Sequence, residues 1–78
     1  MSIGYSQRLI SANKKASARS LGVALGRLCI KHDIPVSTVA EQLDVTRATV
    51  YNWFQGASEP DAIRRARVVD LVARLKRT

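Results

Sequence analysis

The sequence predicts an all-α fold, a small bundle of four to five helices. Three observations predict it. Apolar residues recur at spacings of three and four from about residue 17 to residue 76, the period of a helix with a buried side. Pro and Gly punctuate these stretches where helices begin and end: Pro35 and Pro60 ahead of two of them, Gly56 behind a third. Val and Thr are frequent, yet they follow the helical spacing and not the alternation of a strand. Seventy-eight residues make one small domain. A chain of this size buries only about 60% of its unfolded surface, so its core must be thin.

The elements follow in order. Residues 1–16 are polar with a few apolar groups, Ile3, Tyr5, Leu9 and Ile10, and read as a basic N-terminal arm or a short helix. From about Ser17 to His32, Leu21, Leu25, Leu28 and Cys29 share one face, while Val23 and Ile30 lie opposite. A helix apolar on two sides is buried on two sides, by the N-terminal segment or by a partner chain. Gly22 and Gly26 in this helix suit close helix packing. Asp33 ends it, and Ile34-Pro35 makes a turn, because the residue before proline is pushed out of the helical region. A second short helix runs from Val36 or Ser37 to Leu43, with Thr38 and Glu41 resembling a capping box and Ser37 an alternative cap. Thr46 is a good N-cap for a helix over 47–55, and Gly56 a good left-handed stop. Residues 57–60 form a loop. Pro60 then suits the start of a last helix over about 61–76.

The charge is one-sided. The net +7 is large for this size and favours polyanions, nucleic acid first. Residues 1–32 carry Arg8, Lys14, Lys15, Arg19, Arg27 and Lys31 and no acid. Residues 33–63 carry five acids against Arg47, and residues 64–78 carry six cations against Asp70. Within the acidic middle, no acid falls between 45 and 58. The helix over 47–55 has two faces. Val50, Trp53 and Phe54 fall within an arc of about 100°. Tyr51, Gln55, Ala48 and Asn52 share another arc, with Arg47 between the two. The first face anchors the helix. The second is polar and has small Ala48 at its centre, which lets the helix axis approach another surface.

Residues 36–55 resemble the helix-turn-helix of the Cro and phage-repressor type. Ala40 stands at the fifth motif position, where the family has Ala. Val39, Leu43, Val45, Val50 and Trp53 fill its apolar positions, and Trp53, Gly56 and Pro60 keep the spacing that often follows. Asp44 departs from the pattern: the family usually has Gly there, because the turn needs a positive φ, which Asp tolerates better than most residues. The resemblance extends over about residues 18–75 and leaves the first 16 outside. It implies a lambda-repressor-like domain over 17–78 whose second motif helix lies in the major groove of DNA.

On that resemblance Arg47, Ala48, Tyr51 and Asn52 meet bases. Arg47 suits guanine O6 and N7, Asn52 adenine N6 and N7, and Ala48 a thymine methyl. Ser37, Thr38, Thr46, Thr49, Gln55 and Ser58 meet phosphates. Arg8, Lys14, Lys15 and Arg19 are candidate arm contacts. The expected function is a sequence-specific transcriptional regulator of phage or plasmid type, acting as a repressor. Two other classes stay open: a DNA-recruiting module for packaging, recombination or replication, and an antitoxin that captures a protein.

The last helix has two apolar stripes, Val68, Leu71, Val72 and Leu75, and Ala62, Ala66, Val69 and Ala73. One closes the bundle and the other is available for a homodimer. No enzyme is expected, for there is no Gly-rich phosphate loop and no set of paired carboxylates or of nucleophile and base. One His and one Cys cannot build a zinc site, so no metal or cofactor is expected. His32 and Cys29 read as structural. No apolar run approaches 18 residues, and the N-terminus does not read as a signal peptide, so the expected location is the cytoplasm.

Overall fold

The computed structural model describes residues 5–17 and 19–77. It is an all-α bundle of five helices: α1 Gln7–Lys15, α2 Leu21–Lys31, α3 Val36–Leu43, α4 Arg47–Gln55 and α5 Ala62–Lys76. No strand occurs among the described residues.

The helix starts are written in side-chain oxygens. Ser6, Ser20, Thr46 and Asp61 each accept the backbone N–H three residues on, from Leu9, Val23, Thr49 and Arg64. Ser20 therefore starts α2, three residues later than the apolar pattern alone places it. α3 departs from expectation. Its N-cap is Pro35, with no side-chain cap. The fixed φ of Pro35, −62°, lets the helix begin at Val36, so Ser37 and Thr38 fall inside the first turn, and neither the Thr38–Glu41 box nor a Ser37 cap forms. Instead the Pro35 carbonyl accepts from Thr38 N at 3.0 Å and Val39 N at 3.2 Å.

Three helices stop in one way. Asp33 (φ 55°), Asp44 (φ 55°) and Gly56 (φ 79°) take the left-handed conformation after α2, α3 and α4. Each stop is closed by a bond from the following residue back across the last turn: Ile34 N to Cys29 O (2.9 Å), Val45 N to Ala40 O (3.0 Å) and Ala57 N to Asn52 O (2.9 Å). Asp44 thus does what a glycine would do in the α3–α4 turn.

α2 lies at the centre, packed against α1, α4 and α5. Gly22 and Gly26 set how closely α4 approaches. A Cβ on Gly22 would fall 2.7 Å from the Trp53 carbonyl oxygen, and one on Gly26 2.8 Å from Phe54 Cγ. The second apolar side of α2 is covered from within the chain at Val23, while Ile30 on the same side is half-buried. Val23 is fully buried, with Gly56 and α1 against it.

α1 joins the same core. Tyr5, Leu9 and Asn13 are buried. The Tyr5 ring stacks on Phe54 with centroids 6.3 Å apart, and its hydroxyl donates to the Ile34 carbonyl. Burial raises the Tyr5 pKa well above that of a free phenol. On α5, Val68 and Val72 are buried, and Leu71 and Leu75 pack on the core. This stripe closes the bundle and is unavailable to a second subunit, which removes one of the two dimer faces read from the sequence. The other stripe is open: Ala62 and Ala66 are exposed and Val69 is 49% exposed. Next to it Ile63 is 82% exposed.

Candidate nucleic-acid interface

α4 is held from behind. Val50 and Phe54 are fully buried and Trp53 is 3% exposed. Both ends are fixed by hydrogen bonds, Thr46 Oγ1 accepting Thr49 N at 3.2 Å and the Gly56 stop closing the other. A further tie comes from α1. The Asn13 amide donates to the Phe54 carbonyl at 2.7 Å and to the Val23 carbonyl at 3.2 Å. Asn13 is 1% exposed, so this one amide links α1, α2 and the end of α4 in the interior.

The outward face of α4 carries Arg47, Ala48, Asn52 and Gln55, all exposed, with Tyr51 at 38% exposure. Arg47 makes no ion pair with Asp44 or Glu41. The two ion pairs among the described residues are Arg64–Asp61 and Arg74–Asp70, both within or at the start of α5. The guanidinium of Arg47 thus keeps its donors for a partner. Asn52 presents its side chain outward, while its carbonyl accepts from Ala57 and Ser58, which folds the post-helix loop against the end of α4.

Of the phosphate candidates, Ser37, Thr46, Gln55 and Ser58 are exposed, and Thr38 and Thr49 are half-buried. Ser37 and Thr38 stand in the first turn of α3. The hydroxyls of Thr46 and Thr49 lie 3.0 Å apart and bond to each other, so each keeps only part of its capacity for an outside acceptor. The four arm candidates divide. Arg8, Lys14 and Lys15 sit exposed on α1, whereas Arg19, in the α1–α2 connection, borders a hollow it shares with Gln55 and Gly56. Across that hollow the Ser20 hydroxyl bonds to the Glu59 carboxylate. Arg19 is therefore gathered to the end of α4.

Arg64 is a residue that reading the sequence missed. From the first turn of α5 it reaches back to the Asp44 carbonyl at 3.4 Å while pairing with the Asp61 carboxylate at 2.9 Å. It braces the turn that sets α4 against α3. No sequence signal marks it, because the contact joins residues 20 apart along the chain. The Asp61 carboxyl is held below its ordinary range, first by the Arg64 backbone N–H it caps and then by the Arg64 side chain.

The assembled surface is an anchored helix with an outward face free of acid, a fork-shaped donor at its start, a flat amide beside it, and hydroxyls and a cation around its ends. Its exposed groups are hydrogen-bond donors and acceptors. Comparison of the chain with protein-family models, with curated proteins and with solved structures found no match in any of the three.

Proposed function

We propose that this protein is a sequence-specific binder of double-stranded DNA that inserts α4 into the major groove and acts as a transcriptional repressor. The observation that carries the reading is the division of α4. Val50, Trp53 and Phe54 are buried to hold it, while Arg47, Ala48, Tyr51 and Asn52 stand exposed, with no ion pair on Arg47 among the described residues. Arg47 would read guanine and Asn52 adenine, because a fork and an amide match those base edges bidentately. Ser37, Thr38, Thr46, Thr49, Gln55, Ser58 and Arg19 would meet the backbone on either side, which orients the helix without reading sequence. The net charge of +7 supports a strong, salt-dependent attraction to the duplex.

A homodimer belongs to this proposal. The stripe of Ala62, Ala66, Val69 and Ala73, exposed except for the half-buried Ala73, runs along α5 at alternating spacings of four and three, which suits helix-to-helix packing of small residues. Two copies would place two α4 helices on half-sites about one helical turn apart. Selection of bound duplexes from a random pool, with the mass of the complex measured, tests both parts. An enriched palindrome carrying two chains is expected. Enrichment of a single asymmetric site by one chain would remove the dimer, and no enrichment would remove sequence reading. Stable capture of an unrelated protein by the α5 stripe would instead favour a recruiting or antitoxin role.

A further inference from the structure

The last turn of α4 ends on a carbonyl that the following chain leaves open. The residues after the helix double back on Asn52 and Trp53, whose carbonyls accept from Ala57 N at 2.9 Å and from Gly56 N at 3.1 Å. Among the described residues, no backbone N–H reaches the Phe54 carbonyl. It accepts from the Asn13 amide instead, at 2.7 Å. The other N–H of that amide goes to the Val23 carbonyl on α2, at 3.2 Å. Both partners are acceptors, so only the nitrogen of Asn13 can serve them, and this fixes which way the amide faces. α2 makes room for it, since a Cβ on Gly26 would fall 2.7 Å from Asn13 Nδ2.

Packing alone does not call for an amide here. Asn13 is 1% exposed in a thin core, where an apolar side chain of similar size would bury more apolar surface. What an amide adds is direction. The burial of Val50, Trp53 and Phe54 holds α4 down, but hydrophobic contact is non-directional and resists small rolls and slides only weakly. A planar amide with one N–H on α2 and the other on α4 ties the two helices at a set angle. The tie falls in the turn that presents Asn52 and Gln55 on the outward face. A bidentate contact from Asn52 to a base edge tolerates little displacement, because both of its bonds must be short and straight at once.

We propose that Asn13 is a positioning residue for base reading. It fixes the roll and depth of the last turn of α4, so that Asn52 meets its base, and touches no DNA itself. This role rests on the reading of α4 as a helix that enters the major groove. Asn13 stands on α1, ahead of the residues that resemble the helix-turn-helix domain, so part of the specificity comes from a segment the motif does not contain.

The experiment measures affinity for a duplex selected by the protein and for a scrambled one, at one salt concentration, and takes their ratio. The chains compared are the wild type, Asn13→Leu, Asn13→Ala, Asn52→Ala and the double variant Asn13→Leu, Asn52→Ala. Tyr5→Phe is the control. It cuts a different tie of the N-terminal segment, the hydroxyl bond to the Ile34 carbonyl, which lies between α2 and α3 and not on α4. Thermal melts accompany each chain, and affinities are taken well below the lowest melting temperature. The ratio is expected to fall about tenfold in both Asn13 variants. In Tyr5→Phe it should stay at the wild-type value even if stability drops as much. The double variant should discriminate no worse than Asn52→Ala, since both residues act through one base contact. An unchanged ratio in the Asn13 variants overturns the proposal and makes the amide a matter of stability alone. So does an equal fall in Tyr5→Phe, which would mean general loosening, or a double variant whose losses multiply, which would place the effect away from Asn52. Asn13 variants that do not fold would make the residue structural and overturn it as well. A wild type that prefers neither duplex, or an Asn52→Ala with the wild-type ratio, would mark the failure of base reading by α4 or by Asn52, and the role of Asn13 would fall with it.

Discussion

Asn13 is a polar residue in the interior of a thin core, and its worth lies in what its loss would strand. Replacing it with Ala leaves the carbonyl of Phe54 without its donor, takes a second donor from the Val23 carbonyl, which stays in the α2 ladder, and opens space between α1 and α2. A buried acceptor left unpaired costs about 1–3 kcal/mol. Asn13→Ala should lower the urea midpoint accordingly, and a variant with unchanged stability would show that water takes over both bonds. Cys29 makes a second residue-scale prediction. It is fully buried, and burial pushes its thiol up to about 12. Native protein should therefore react with a maleimide only as fast as it opens, with full labelling in denaturant. Rapid labelling of folded protein would place Cys29 outside the core. Neither role was fully legible in the sequence. A small apolar role for Cys29 follows from its position on the apolar face of α2, but an Asn on a polar segment reads as solvated surface until α4 is seen above it.

The helices were legible where their ends carry chemistry. Thr46 and Gly56 bracket α4, and the boundaries read from them agree with the structure. α3 was legible in extent but not in its start, because a proline that fixes its own φ removed the need for the hydroxyl caps nearby. The sequence of residues 1–16 reads equally as arm or helix, since the packing of this segment rests on Tyr5 and Asn13, which hydrophobic periodicity does not count. Two substitutions test the α3–α4 junction. Thr46→Ala removes the cap and should cost about 1 kcal/mol, read by thermal or urea unfolding. Asp44→Gly removes the strain of a side chain at φ 55° and should stabilise by up to about 1 kcal/mol. A destabilising Asp44→Gly would mean that the Asp carboxylate contributes more than its backbone strain costs. Asp61 links this junction to pH. Its carboxyl is depressed in the fold, so its contribution is fully present above the ordinary carboxylate range and is lost as pH falls from that range through the depressed value. Melting temperature should drop there, and less so in Asp61→Asn, which keeps a capping oxygen.

At the scale of the molecule, the cations of the N-terminal segment cannot be tested by cutting it away. Tyr5, Leu9 and Asn13 belong to the core, so a chain lacking residues 1–16 should unfold. Neutralising Arg8, Lys14 and Lys15 with Gln keeps the core and removes charge. Each of these that meets a phosphate should flatten the slope of log affinity against log salt by about 0.9, equally on all duplexes. An unchanged slope would take these three residues off the DNA. The all-α class, the central helix and the exposed face of α4 were legible because they follow from periodicity and charge along the chain. The brace from Arg64 to Asp44 and the bond from Asn13 to Phe54 were not, because both arise only when distant segments meet.

The central claim is that the outward face of α4 reads bases, and one comparison tests it most directly. The affinities of the wild-type chain and of Arg47→Ala are measured on a duplex selected by the protein and on a scrambled duplex, at one salt concentration. Arg47 is exposed and without an ion pair among the described residues, so its removal should leave the fold intact. The expected result is a loss of about 1–3 kcal/mol on the selected duplex with little change on the scrambled one. An equal loss on both would make Arg47 a phosphate contact, and would contradict base reading by this face.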